Sequence, residues 1–134
     1  MTKIADIEGI GPKFQQSLKK AGVLTVEGLL KSGATKKGRQ EVAKASGIEE
    51  GKILDWVNMA DLYRVKGVGK QFAELLKASG VDTTKELRNR KADNLHSKLL
   101  EVNKAKKLTR VVPAQSQVAG FIDHAKKLPP VVTY

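Results

Sequence analysis

An internal repeat limits what this chain can fold into. Residues 7–29 align without a gap on residues 65–87 at a constant offset of 58, with nine identities in 23 positions: Gly9/Gly67, Gly11/Gly69, Phe14/Phe72, Leu18/Leu76, Lys19/Lys77, Gly22/Gly80, Val23/Val81, Thr25/Thr83 and Leu29/Leu87. Glycines, apolar residues and a threonine are what helix ends and helix faces need, so one local unit is built twice. The rest of each half repeats more faintly. Ile53, Trp56, Val57 and Ala60 match Val118, Phe121, Ile122 and Ala125 at an offset of 65. The later half has therefore gained a net seven residues between Leu87 and Val118, in the stretch that carries the basic run Lys104, Lys106, Lys107 and Arg110. The chain divides into units 1–62 and 63–128, with a tail 129–134.

Apolar spacing is helical almost throughout. Phe14, Leu18 and Ala21 fall on one helix face, as do Phe72, Leu75, Leu76 and Ser79. Gly22 and Gly80 follow, where a helix C-terminus takes a residue of positive φ. Thr25 and Thr83 suit N-caps, and Thr83 to Glu86 reads as a capping box. Short helices are expected near Val26–Lys31 and Thr84–Arg90. Thr35 caps a helix through Ala45 closed by Gly47, and Glu49 and Glu50 open the helix carrying Ile53, Leu54, Val57 and Leu62. Asp93 is the expected cap of Asn94–Asn103, and a last helix spans about Gln115–Lys127, stopped by Pro129-Pro130. The residues after that stop read as a loose tail. The fold class is all-α, with nine or ten short helices that must pack together to be stable.

Composition narrows the function classes. Apolar residues make up 40% of the 134, enough for a core. There is no cysteine, which removes disulfides, thiol nucleophiles, zinc-thiolate sites and iron–sulfur clusters. The two histidines, His96 and His124, read as ordinary helix residues, and no metal or cofactor site is expected. No apolar run approaches a membrane span and no signal-peptide stretch opens the chain, so a cytoplasmic protein without membrane contact is expected. Twenty-five Lys+Arg against fourteen Asp+Glu leave a formal charge of +11. That balance suits a polyanionic partner. It is uneven: residues 1–64 hold eleven basic and eight acidic residues, whereas 65–134 hold fourteen and six.

The two glycine turns carry the functional signal. Ile7-Glu8-Gly9-Ile10-Gly11-Pro12-Lys13 and Val65-Lys66-Gly67-Val68-Gly69-Lys70-Gln71 share the pattern apolar-x-Gly-apolar-Gly, each ahead of an amphipathic helix. The result is a helix N-terminus with backbone N–H groups open to an anion. The pattern resembles the helix-hairpin-helix motif of DNA repair, recombination and DNA-uptake proteins. The doubled arrangement is similar to a domain-of-unknown-function family of tandem helix-hairpin-helix units (a SAM-like fold), over about residues 4–128. That resemblance implies sequence-independent, non-enzymatic binding of DNA, expected in duplex form, through backbone amides near Gly9, Gly11 and Lys13 and near Gly67, Gly69 and Gln71. Lys66 and Lys70 strengthen the later turn, and Glu8 weakens the earlier one. Lys104, Lys106, Lys107 and Arg110 add cations, so the later half is the expected nucleic-acid face. The Gly47 turn, with Glu49 and Glu50 and no second glycine, reads as structural.

Blander readings stand beside this one. A Gly-apolar-Gly turn can be a plain connector or a protein-docking element, so a scaffold or adaptor with a protein partner is the alternative function, and RNA, including ribosomal RNA, a third. Phe14, Trp56, Phe72 and Phe121 read as core, and 4% aromatics leave little for a single-strand stacking surface. Nothing in the sequence marks Lys66 or Lys70 as a lysine nucleophile, so no catalytic residue and no small-molecule substrate are expected. If DNA binding is right, the protein is nucleoid-associated.

Overall fold

The computed structural model describes residues 3–134, which are 65% helical. Among the described residues there is no strand, only an isolated bridge between Lys3 and Thr25. A one-turn 3-10 segment, Ile4–Asp6, precedes α1 (Pro12–Lys20), α2 (Val26–Gly33), α3 (Lys36–Ser46) and α4 (Glu50–Leu62). The second half supplies α5 (Lys70–Ala78), α6 (Thr84–Arg88), α7 (Ala92–Lys106) and α8 (Gln115–Lys127). The chain forms two compact units. The first runs up to Asp61 and takes back Pro130–Tyr134; the second is Leu62–Pro129.

Local chemistry accounts for most helix ends. Pro12 sits at the start of α1, where a missing N–H is harmless. The hydroxyls of Thr25, Thr35 and Thr83 accept the N–H groups of Gly28, Gly38 and Glu86, each at 3.0 Å, and so cap α2, α3 and α6. Helices α1 and α5 end alike. The N–H groups of Gly22 and Val23 donate to the carbonyls of Lys19 and Leu18, and those of Gly80 and Val81 to Lys77 and Leu76. This is the Schellman pattern, and its apolar partners Leu18/Val23 and Leu76/Val81 are all buried.

In the first unit α1 and α2 pack on α3, and the 3-10 segment packs on α1. In the second, α6 and α7 pack on α8, and α5 on α7. Each unit holds one aromatic pair at repeat-related positions: Phe14 meets Trp56 edge-on at 5.2 Å, and Phe72 meets Phe121 at 6.1 Å. Trp56 and Phe121 are buried, and Phe14 and Phe72 are half-buried. The seven added residues are now located. Helix α7 has fifteen residues against eleven in α3, loop 107–114 replaces the shorter 47–49, and linker 89–91 is one residue longer than 34–35, while α6 has five residues against eight in α2.

Two expectations need correction. Helix α7 starts at Ala92 with Lys91 as its cap residue, so Asp93 lies in the first turn. An acid is favourable at either position through the helix dipole, which is why the sequence alone misplaces the boundary. The final residues are also not loose. Thr133 N–H donates to Ala34 O at 2.7 Å, and Tyr134 Oη donates to Asn58 Oδ1 at 2.9 Å. The reason is Arg39, which is only 2% exposed. Its guanidinium donates to the carbonyls of Gly33, Ala34 and Thr133 at 2.9, 3.2 and 2.7 Å and lies 5.8 Å from the Tyr134 ring centre. A buried guanidinium needs acceptors, and the open end of α2 together with the returning tail supplies them.

One carboxylate pair sits badly at α6. A hydrogen bond shared with Asp82, then partial burial and the Asp82 charge, hold the Glu86 carboxyl above its ordinary value of 4.5, with Arg90 and Thr83 pulling the other way. The folded chain therefore holds this proton more tightly than the unfolded chain. The contribution to stability is present below the ordinary Glu range and is lost as pH rises through the raised folded value. Glu86→Gln removes this linkage, so its melting temperature should gain on wild type between about pH 4 and pH 7. Parallel melting curves across that range would detect it; a constant difference would speak against the pair.

Candidate nucleic-acid interface

The two glycine turns have the same backbone. Ile10 N–H donates to Ile7 O at 3.2 Å and Val68 N–H to Val65 O at 3.0 Å, with Gly9 at φ +92° and Gly67 at φ +91° in the third position. A hydrogen-bonded turn with positive φ there follows the type II pattern. Ile7, Ile10, Val65 and Val68 are buried and pin each turn to its unit, and Glu8 and Lys66 occupy the exposed corners.

The first glycine of each turn has a structural reason; the second has none. Gly67 needs its positive φ, and a Cβ there would lie 2.8 Å from Phe121 Cε1. Gly11 and Gly69 have φ of −83° and −103° with extended ψ, which any residue adopts, and a Cβ on either would meet nothing within 4 Å. Both are N-caps without a side chain to offer. In consequence the N–H groups of Lys13 and Phe14 in α1, and of Lys70, Gln71 and Phe72 in α5, have no hydrogen-bond partner among the described residues. The same chain fills this position with threonine in α2, α3 and α6. Glycine caps are thus confined to the two helices that follow the glycine turns, while α7 and α8 begin at Lys91 and Ala114, which also offer no side-chain cap. Such ends hold an oxyanion by direct hydrogen bonds and by the helix dipole.

The second turn is the better equipped. Pro12 takes one amide from the first site, whereas the repeat-equivalent Lys70 offers both an amide and an ammonium. Gly67, Gly69, Lys70, Gln71 and Phe72 line a groove of about 480 Å³. The loop that follows the basic end of α7 reaches this groove through Thr109, which contacts Gln71. Lys104 and Lys106 occupy the last turn of α7, Lys107 is its left-handed C-cap at φ +51°, and Arg110 follows in the loop; all four are exposed. Asn103 closes this loop, with Nδ2 donating to Thr109 O at 2.9 Å and Oδ1 accepting from Thr109 N–H at 3.0 Å. The Thr109 hydroxyl in turn lies 3.4 Å from Gln71 Oε1, at the N-terminus of α5. By observed unit, ten basic and eight acidic residues lie in the first, +2, and fifteen and six in the second, +9.

Sequence reasoning placed Gly9, Gly11 and Lys13 at one turn and Lys66, Gly67, Gly69, Lys70 and Gln71 at the other, and the structure puts them there. It missed Asn103 and Thr109, whose only signal is an amide side chain before a loop. It also missed His124, whose Nδ1 accepts the Lys66 N–H at 2.8 Å and so braces the corner of the second turn. Among the described residues no cluster of three or more His, Asp or Glu side chains could hold a metal ion, and no helix is long and apolar enough to cross a membrane.

Gly69→Ser tests what the bare cap is for. A serine hydroxyl would take an N-terminal amide of α5, as the threonines do elsewhere, and stabilise the helix by about 0.5 kcal/mol. Anion binding at that end should fall by about fivefold because the amide is occupied. A variant that is more stable and binds as well as wild type would count against an open-amide site.

Fold and turns together define a class: an all-α chain of two units, each with a glycine turn leading into an uncapped helix. The chain belongs to the family described as a domain of unknown function, DUF4332, whose model matches residues 8–128. No curated protein and no solved structure matches it.

Proposed function

We propose that this chain binds DNA without catalysis and without reading its sequence, by gripping the phosphate backbone of a duplex with two helix-hairpin-helix elements. The observation that carries the reading is the capping contrast within residues 7–29 and 65–87: α1 and α5 present glycine caps and open amides directly after their turns, while threonines close α2 and α6. Backbone amides recognise phosphate and not bases, so the grip is independent of sequence. The charge of +9 on the second unit favours the same ligand and ranks that turn first. Nucleoid association in the cytoplasm follows from this reading.

The test is fluorescence anisotropy with duplex, single-stranded, junction and RNA probes at several salt concentrations. With about five phosphates neutralised, log affinity for duplex should fall against log salt with a slope of about −4 to −5. No binding at low salt, or a flat salt response, would reject the reading and leave the protein-docking scaffold. Preference for the RNA probe would move the assignment to RNA.

A further inference from the structure

A second groove borders the second turn at Lys66. Lys66, Gln117, Gly120, Asp123, His124 and Lys127 line it together with the buried Phe121, over a volume of about 330 Å³. Residues 117, 120, 124 and 127 follow at spacings of three, four and three, so they form one stripe along α8. The stripe joins the turn at two points. The Lys66 N–H donates to His124 Nδ1, and Phe121 packs under Gly67, whose added Cβ would meet the ring. Gly67 lines the first groove and Phe121 the second, so the two surfaces meet there.

Gly120 is the telling residue. It lies in the middle of α8, where glycine is a weaker helix former than alanine. A Cβ there would meet nothing within 4 Å, so packing does not call for its absence. An exposed glycine that the fold does not need leaves bare backbone in a groove edged by Lys66 and Lys127. With Nδ1 accepting the Lys66 N–H, Nε2 is the His124 ring nitrogen left to donate. Asp123 is the one opposing charge in the groove.

We propose that the Gln117–Lys127 stripe of α8 is a second track for the phosphate backbone, on which the nucleic acid passes close over Gly120 after leaving the turn at Gly69. This rests on the reading of the second turn as a nucleic-acid site. The two are separable by experiment, because wild-type binding tests the turn reading and α8 variants test the track.

Duplex affinity and melting temperature should be measured for the full chain as wild type, Gly120→Ala, Gly120→Gln, Asp123→Asn and Lys127→Ala. Gly120→Ala should melt about 4 °C higher, since alanine favours the helix, yet bind about threefold more weakly. Gly120→Gln, with a longer side chain over the track, should lose about tenfold without losing its fold. Lys127→Ala should reduce the salt slope by about one, and Asp123→Asn should bind more tightly. Only a residue that touches the ligand couples higher stability to weaker binding. Wild-type affinity in both Gly120 variants overturns the track while leaving the turn site standing. Absence of duplex binding by wild type overturns both.

Discussion

Lys66→Glu combined with Lys70→Glu should lower duplex affinity by about 100-fold at low salt, roughly 2.7 kcal/mol, and flatten the salt slope by about two. Lys66 occupies the exposed corner of the turn, and Lys70 opens α5 in the groove beside Gly69. Reversal removes two cations and adds two anions at the end where phosphate would dock. Lys13→Glu should lose about fivefold or less, because Glu8 already stands at the corresponding corner of the first turn and Pro12 has removed an amide. Anisotropy titrations of both variants, with melting curves to show that the units stay folded, decide the matter. Equal losses in the two variants would sink the ranking of the turns.

The second large effect is on stability. Gly67→Ala should destabilise the second unit by about 2–4 kcal/mol. The left-handed conformation contributes roughly 1–2 of this for any L side chain, and the collision with Phe121 roughly 1–2 more. Phe121 cannot retreat freely, because it is buried and packs against Phe72. Gly69→Ala, two residues away, should stay within about 1 kcal/mol of wild type, since its backbone is extended and its surroundings are open. Amide exchange would place the Gly67→Ala loss within Leu62–Pro129, the unit that contains the turn. Comparable melting of the two variants would contradict the geometry of the turn. The pair also separates two kinds of glycine in one motif: the first keeps the turn closed and the second keeps the helix end bare.

What was legible in the sequence is what local chemistry controls. The caps at Thr25, Thr35 and Thr83, the C-terminal glycines 22, 47 and 80, and helix Gln115–Lys127 were all readable because each depends on residues within a turn or two. The added seven residues could be assigned to a stretch but not divided between helix and loop. Lys and Ala are good helix formers, so α7 extends through Lys106. Long-range partners left no mark. Arg39 meets Thr133 across 94 residues and Lys66 meets His124 across 58, and neither pairing has a periodic signature. The repeat offered no help with His124, because the equivalent position in the first unit is Met59, a buried apolar residue.

The return of Pro130–Tyr134 to the first unit has a consequence for the order of folding during synthesis. Domains ordinarily mature in the order in which they leave the ribosome. Here the segment that begins first cannot give Arg39 Nη2 its acceptor until Thr133 has been made, whereas every residue of Leu62–Pro129 is available before then. The unit with the greater positive charge is therefore the first whose chain is complete, and the weaker turn belongs to the unit that must wait.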